Sequence, residues 1–268
     1  MKWTIEILRQ RDSASAPYQQ IIEYEASPED TVATLLNKMN AEPGLKDNSG
    51  TPVGYIHWQC SCLQKKCGAC AMRINGTPAL ACDTRLSTCK KGRLRLEPLR
   101  KFPTVRDLIV DRSLMMDNLR AIHNWLEQAA RHAGKAAELS YDASRCLQCG
   151  CCLEVCPNFN PGGDFYGAAA FVPASRILSQ LEREHPQALL QYYQKNVYSG
   201  CGKSLSCHNI CPAEIDVAQK LSNANAVAVW KKYFEAIPHH FGVRCCLHKG
   251  VCICRLKQKR RCPLSSMR

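Results

Sequence analysis

Apolar and polar residues alternate in the first part of the chain, which indicates β-strands. Every second residue of Lys2–Leu8 is apolar, and this period of two is that of a strand with one buried face. The side chains expected on that face are Trp3, Ile5 and Ile7. Gln20–Glu25 and Arg93–Leu99 are two further candidate strands. Residues 1–100 therefore predict a small β-rich domain.

A helix and a hairpin are expected within this domain. Ser27 is suited to cap a helix N-terminus, and Pro28 to occupy the first helical position. The residues that would form the apolar face of this helix are Val32, Leu35, Leu36 and Met39. Farther along, Asn75-Gly76 predicts the tight turn of a β-hairpin, because both residues tolerate a positive φ.

Residues 104–237 show helical spacing of their apolar positions instead. The expected helices are Asp107–Gln128, Pro173–Lys195 with a break at Pro186, and Pro212 to about Ile237. The predicted fold class is therefore α+β, with a β-rich domain at 1–100 followed by an all-α domain at 104–237. The linker between them is marked by Pro98 and Pro103.

The composition points to metal rather than disulfides. The chain of 268 residues contains 19 cysteines, and a secreted disulfide protein is the usual alternative for so many. Its start carries Glu6 where a signal peptide needs an apolar run, and its cysteines cluster at ligand-like spacings. We therefore expect reduced thiols that are free to bind metal. No run of 18 apolar residues is present, so we expect no membrane span.

The formal charge of +13 raises the alternative of a zinc-dependent nucleic-acid binder. Eight Lys and Arg residues lie after Pro238 without any acidic residue, so the rest of the chain carries about +5. The basic residues outside this tail do not interleave with aromatic residues along one face. Charge alone therefore does not favour a nucleic-acid partner.

The central cysteine run has the spacing of two-cluster ferredoxins. Cys146, Cys149, Cys152 and Cys156, followed by a proline, form C-x2-C-x2-C-x3-C-P. In that arrangement three cysteines hold one iron–sulfur cluster and the fourth crosses to another. Zinc is the alternative, but structural zinc prefers two C-x2-C pairs closed at four ligands. A crossing ligand requires a second cysteine group elsewhere in the chain.

That second group is Cys201, Cys207 and Cys211. If the x2, x2 and x3 spacing of the first group is applied from Cys201, one ligand position falls on Ser204 instead of cysteine. The resulting assignment gives one [4Fe–4S] cluster the four ligands Cys146, Cys149, Cys152 and Cys211. The other cluster has only Cys156, Cys201 and Cys207, and we expect [3Fe–4S] there because serine is a poor ligand for iron–sulfur clusters.

A third group lies in the β-rich domain. Cys62, Cys67, Cys70 and the more distant Cys82 have the plant-type spacing of a [2Fe–2S] cluster. Small residues at Gly68 and Ala69 would let backbone amides approach the sulfurs. Cys60 competes with Cys62 as first ligand, and we expect it to be a packing or supporting thiol. Cys89 fits no group and is expected to behave as a small buried hydrophobe.

Three clusters in one chain predict an electron relay without substrate chemistry of its own. The sequence shows no nucleophile–base pair, no paired acids and no dinucleotide fingerprint, so we assign no catalytic residue. Substrate chemistry is expected on other subunits.

Several segments resemble the iron–sulfur subunits of succinate dehydrogenase and fumarate reductase. They are Cys67–Gly76, Leu80–Cys82, Phe102–Asp111 and Ala224–Lys231, and the resemblance covers roughly residues 1–235. It implies a β-grasp, plant-type ferredoxin domain followed by a helical ferredoxin domain. Enzymes with related modules, resembling heterodisulfide reductase or glycolate oxidase, are the alternative, but the segments in the first domain argue against them.

The resemblance also implies partners and a location. The chain would dock between a flavoprotein subunit, which carries FAD and the dicarboxylate site, and a membrane anchor that binds quinone, often with haem. Electrons would run between flavin and quinone through the [2Fe–2S], [4Fe–4S] and [3Fe–4S] clusters in either direction. The chain would lie peripherally at the cytoplasmic face of the inner membrane, and no nucleic acid is expected.

Two departures from the family pattern bear on the quinone. Ubiquinone-linked members usually have a tryptophan pair soon after the crossing cysteine, where this chain has Asn158–Asn160. They usually have a histidine after the next ligand, where this chain has Gly202. The segment Phe165–Phe171 looks more like the menaquinone-linked fumarate reductases, so menaquinone is the expected quinone.

Residues 238–268 depart from the family altogether. This tail holds five cysteines and three histidines, namely Cys245, Cys246, Cys252, Cys254, Cys262, His239, His240 and His248. A zinc site, or a further cluster, is one interpretation. The spacing matches no known ligand pattern, and few apolar residues accompany the charges, so we expect a disordered basic extension. Contact of this extension with anionic lipid is a hypothesis that its charge suggests.

Overall fold

The computed structural model describes residues 1–89, 92–126, 135–180 and 187–230, together with the backbone of two short strands near the end. Met1–Val229 form one compact unit and Trp230–Arg268 a second. In the second unit Leu247–His248 and Val251–Cys252 pair as antiparallel strands. The rest of the predicted tail, the predicted break at Pro186, and the predicted helix ends at Gln128 and Ile237 lie outside the described residues.

Five strands form the main sheet, three at the predicted strand segments and two at the predicted hairpin. They are β1 (Lys2–Arg9), β2 (Tyr18–Glu25), β3 (Ala71–Ile74), β4 (Thr77–Leu80) and β5 (Arg93–Glu97). Their order across the sheet is β2-β1-β5-β3-β4. Strand β1 pairs antiparallel with β2 and parallel with the central β5, so Ile5 lies opposite both Ile22 and Leu94. These side chains are buried, which confirms the predicted core face.

Helix α1 (Val32–Ala41) packs its predicted apolar face into the same core. The helix begins later than Ser27 and Pro28 suggest. Thr31 is the N-cap, and its hydroxyl accepts a hydrogen bond of 3.1 Å from the Thr34 amide. Ser27 belongs to a preceding turn instead, since its amide donates to the Asp30 carboxylate at 3.2 Å. The prediction of the start was wrong because this turn satisfies its own polar groups.

The hairpin between β3 and β4 confirms the predicted turn. Asn75 and Gly76 have φ angles of 50° and 84°, which suits a two-residue turn between twisted strands. The Asn75 side chain also accepts a hydrogen bond of 2.8 Å from the Arg95 amide. This contact fixes the turn to the neighbouring strand β5, and the hairpin leads the chain back towards Cys82.

The segment after the linker is a small hairpin rather than the start of a helix. Strands β6 (Thr104–Arg106) and β7 (Ile109–Val110) flank Asp107, and helix α2 spans only Ser113–Ala121. Asp107 has a φ of 46° and is buried. Its carboxylate accepts hydrogen bonds from the Arg9 side chain and the amides of Gln10 and His57. These distant partners hold Asp107 in a non-helical conformation.

The remaining helices are α3 (Lys135–Ser144), α4 (Cys151–Val155), α5 (Ala168–Gln180), α6 (Gln187–Tyr193) and α7 (Val217–Asn225). Helices α3, α5, α6 and α7 form a second core, whereas Cys151 and Leu153 of α4 belong to the core of the sheet. Wider turns follow α6 at Gln194–Tyr198 and α7 at Ala226–Trp230. The mixture of a sheet and helices confirms the predicted α+β class. Among the described residues, no helix combines the length and the apolar character needed to cross a bilayer.

Two of these helices begin at other residues than the sequence suggests. Helix α5 begins at Ala168, so Pro173 lies inside it instead of starting it. Helix α7 begins at Val217, because Asp216 caps it by accepting a 2.9 Å hydrogen bond from the Gln219 amide. Pro212 therefore lies in the preceding turn, where it does not start a helix.

Candidate metal-cluster sites

The loop that leads into strand β3 directs backbone amides at cysteine sulfurs. The amides of Gln64 and Lys66 donate to Cys62 Sγ at 3.4 and 3.3 Å. The amide of Lys65 donates to Cys82 Sγ at 3.4 Å, across the hairpin. Hydrogen bonds from backbone amides stabilise the thiolate form that binds iron. The loop is therefore arranged to hold negatively charged sulfur.

The four predicted ligands of this loop lie close together. The amides of Gln64 and Lys66, with the Cys67 thiol, lower the pKa of Cys62 to about 7. Burial raises the pKa of Cys70 to about 12, and the neighbouring charges of Cys82 and Cys67 add to this rise. Each cysteine thus acts electrostatically on at least one other. Cys60 is exposed, so our expectation that it packs is not supported. Cys89 packs against the core as expected.

Three neighbouring cysteines and one that is distant in sequence line one cavity in the helical half. They are Cys146, Cys149, Cys152 and Cys211. This is the ligand set that the ferredoxin spacing assigns to [4Fe–4S], including the ligand that returns from beyond α6. Cys152 is partly buried. Burial raises the pKa of its thiol, and the charges of Cys149, Cys146 and Cys211 raise it further. Apart from Gln148, the rest of the cavity wall is apolar, with Val172, Ile215 and Val217 among its lining residues.

The third predicted set also converges. Burial raises the pKa of Cys207 to about 11, and the charges of Cys156 and Cys201 raise it further. Cys207 in turn acts on Cys152, so the second and third sets adjoin. Ser204 is exposed, and its hydroxyl accepts a hydrogen bond of 3.3 Å from Ser206. The serine at the missing ligand position thus already has a partner.

The residues present fit iron–sulfur clusters. All eleven predicted ligands are described, and the contacts above group them as the spacing predicts. Within the described part of the chain, no three His, Cys, Asp or Glu side chains converge as they would around a single ion. Ligands of a cluster bind different irons, so their sulfurs stand farther apart than those around one zinc ion. The donors are thiols supported by backbone amides, which is the chemistry that such clusters require.

Glu154 supports the central cysteine run, and the sequence analysis missed it. It lies between Cys152 and Cys156 on α4 and is buried. Its carboxylate accepts hydrogen bonds of 2.9 Å from Arg73 Nη1 and 3.1 Å from the amides of Arg100 and Lys101. A charged residue on a short helix between ligands needs such partners, and that was a signal available in the sequence.

Gln148 is a second missed residue. Its side-chain amide donates to Cys146 Sγ at 3.3 Å and to the Ala169 carbonyl at 3.0 Å. That carbonyl lacks its helical partner because Pro173, four residues later, has no N–H. Gln148 therefore joins a predicted ligand to helix α5. No local sequence signal identifies this pairing, since it depends on the three-dimensional contact.

Comparisons with known proteins agree with these sites. A family model described as "2Fe-2S iron-sulfur cluster binding domain" matches residues 4–117, and one described as "4Fe-4S dicluster domain" matches residues 142–215. The chain is similar to "Succinate dehydrogenase iron-sulfur subunit" of Bacillus subtilis, with 32% identity over 82% of this chain and 89% of the relative. It is also similar to "Fumarate reductase iron-sulfur subunit" of Escherichia coli, with 30% identity over 80% of this chain and 88% of the relative.

A solved structure shares the fold. The chain superposes on one from the "Mycobacterium smegmatis Sdh1 complex in the apo form" with a TM-score of 0.69 and 20% identity. The match covers 88% of this chain and 98% of the other. At this identity the likeness concerns the arrangement of the backbone.

Proposed function

The chain belongs to the family of succinate dehydrogenase and fumarate reductase iron–sulfur subunits, and on this basis we propose how it serves such an enzyme. It relays electrons between the FAD of a flavoprotein subunit and a quinone at a membrane anchor. When bound, iron–sulfur clusters accept and release single electrons. The observation that carries the proposal is the cavity at which Cys211 joins Cys146, Cys149 and Cys152.

In this proposal the two halves of the chain hold their clusters in different ways. Cys62, Cys67, Cys70 and Cys82 hold [2Fe–2S] in a loop whose amides donate to the sulfurs. The cavity cysteines hold [4Fe–4S] among apolar side chains that exclude water. The two domains that we propose, 1–100 and 104–237, divide the sites between them.

The third site is proposed to hold [3Fe–4S] with Cys156, Cys201 and Cys207. Two observations support this: serine at position 204, and its hydrogen bond with Ser206. A site with fewer thiolates carries less negative charge, which raises the reduction potential and suits the end of the relay nearest the quinone. Substitution Ser204→Cys is expected to convert the three-iron signal of the protein to a four-iron one.

The proposed quinone is menaquinone. Gly202 stands where ubiquinone-linked relatives usually have histidine, and a side chain there would meet Asn158 Nδ2 at 2.8 Å. Asn158 itself donates to the Gly200 carbonyl at 2.8 Å. A histidine at this position would therefore require the Asn158 side chain to move away from the Gly200 carbonyl. We further propose a peripheral location at the cytoplasmic face of the inner membrane, where the anchor subunit holds the chain.

A pair of cysteine substitutions tests the proposal. Cys211→Ser removes a proposed [4Fe–4S] ligand, whereas Cys89→Ser removes a thiol that belongs to none of the proposed ligand sets and packs against the core of the sheet. In anaerobically purified protein, we expect the first variant to lose the four-iron EPR signal and the second to keep all signals. Equal spectra for the two variants would contradict the ligand assignment.

A further inference from the structure

Arg112 lies where the loops of the first two proposed clusters meet. It stands directly before helix α2. Its Nη1 donates to the carbonyls of Gly68 at 3.0 Å and Cys149 at 3.1 Å. Its Nη2 donates to the Ala69 carbonyl at 2.9 Å and to the side chain of Gln59. One guanidinium therefore binds both loops at once.

These acceptors belong to the proposed ligand segments themselves. Gly68 and Ala69 lie between the [2Fe–2S] ligands Cys67 and Cys70, and Cys149 is a [4Fe–4S] ligand. The two loops are also in direct contact, because a Cβ on Gly68 would lie 2.9 Å from the Cβ of Cys149. The positive charge is thus adjacent to both sites.

The environment of Arg112 strengthens its charge effect. The side chain is half-buried, and burial lowers its pKa while nearby thiols, Cys149 foremost, act in the opposite direction. A guanidinium stays protonated in proteins in spite of such shifts. Charges that are partly removed from water interact more strongly than charges at the surface. A cation here therefore acts on both sites with little screening.

We propose that the positive charge of Arg112 raises the reduction potentials of both the [2Fe–2S] and the [4Fe–4S] cluster. This inference rests on the proposed function. A cluster gains one negative charge when it accepts an electron, and a nearby cation stabilises that reduced form. Because the guanidinium binds carbonyls of both loops, it acts on both clusters from one fixed point.

Four variants of the full chain, purified with its partner subunits, test this by EPR-monitored redox titration. Arg112→Gln removes the charge, and Gln59→Glu offsets it with a carboxylate while leaving Arg112 in place. Arg112→Lys keeps the charge. Arg120→Gln is the matched control. It removes an exposed arginine of α2 whose ion-pair partner in the described part of the chain is Asp117.

We expect Arg112→Gln and Gln59→Glu to shift the reduction equilibrium of both clusters about tenfold towards the oxidised form, which is about 59 mV for one electron. Arg112→Lys and Arg120→Gln should stay near wild type. The [3Fe–4S] signal is the internal reference, because Arg112 donates to none of its proposed ligands.

The outcomes distinguish a failure of the proposed role of Arg112 from a failure of the proposed function. A wild-type protein without these cluster signals would contradict the proposed function. Wild-type signals with unchanged potentials in Arg112→Gln and Gln59→Glu would overturn the role of Arg112. Equal lowering in Arg112→Lys and Arg112→Gln would overturn it too, since the charge would then not be the cause. If Arg112→Gln fails to assemble clusters, Gln59→Glu decides by itself.

Discussion

Arg73 Nη1 lies 2.9 Å from Glu154 Oε1, which joins strand β3 of the sheet to the short helix between two proposed cluster ligands. The Glu154 side chain is only 2% exposed and that of Arg73 16%. Arg73 also faces Glu97, whose nearest oxygen is 3.7 Å away. The central cysteine run is therefore held by the first half of the chain through a buried ion pair.

Glu154→Ala should destabilise the protein by about 3 kcal/mol, since breaking a buried pair leaves Arg73 and two partly buried amides without this partner. Chemical denaturation followed by circular dichroism measures the change in the free energy of unfolding. Glu29→Ala is the control, because Glu29 and Arg85 form an exposed pair worth at most about 1 kcal/mol. Equal costs for the two substitutions would show that the buried pair has no special role.

Gln148→Ala should cost about 1–3 kcal/mol, because it leaves the buried Ala169 carbonyl unsatisfied. The cost should be smaller in a Pro173→Ala background, where residue 173 regains the N–H that reaches this carbonyl. A double-mutant cycle measures the difference. Additive effects of the two substitutions would contradict the proposed link between Gln148 and the proline.

Gly68→Ala should disturb the protein far more than Gly44→Ala. Both glycines have a φ near +70°, so both substitutions bring similar backbone strain of about 1 kcal/mol. At Gly68 the new Cβ would also lie 2.8 Å from the Leu147 carbonyl oxygen, whereas Gly44 has no atom within 4 Å. We expect Gly68→Ala to lower the iron content and the melting temperature. Similar melting temperatures for the two variants would refute the close contact of the loops.

The carboxylate of Asp107 should make the free energy of unfolding depend on pH. Burial alone would raise its pKa, but hydrogen bonds from Arg9 and the His57 amide outweigh burial and hold the pKa below its usual value. The carboxylate therefore stabilises the fold above the unfolded-state pKa of about 3.9, and this contribution disappears as the pH falls through the lower folded-state value.

Comparison of wild type with Asp107→Asn tests this dependence. We expect a gap in unfolding free energy of about 3–5 kcal/mol at pH 7, because the substitution leaves the Arg9 charge buried without its partner. Denaturation curves measured from pH 7 downwards should show the gap narrowing below about pH 4. A gap that is constant with pH would contradict the ionised state of Asp107.

Local signals account for the features that the sequence predicts correctly. The alternation around Ile5, the turn at Asn75-Gly76 and the apolar face of α1 each depend on neighbours within a few residues. The cysteine spacings are local as well, apart from the return of Cys211. These features give the fold class and the proposed grouping of the ligands.

Distant partners explain the parts that the sequence does not predict. The hairpin around Asp107 exists because Arg9 and His57, about 100 and 50 positions earlier, bind its carboxylate. Helix α5 begins before Pro173, because Gln148 donates to the Ala169 carbonyl that the proline leaves without a helical donor. Such pairings are contacts of the folded chain and have no periodic signature.

The most direct test of the account is iron and acid-labile sulfide analysis of the anaerobically purified protein, combined with EPR. One cluster of each proposed type predicts about nine irons per chain, with separate two-iron, three-iron and four-iron signals. Stoichiometric zinc without iron, or iron without these signals, would contradict the proposal that the eleven cysteines hold an electron relay.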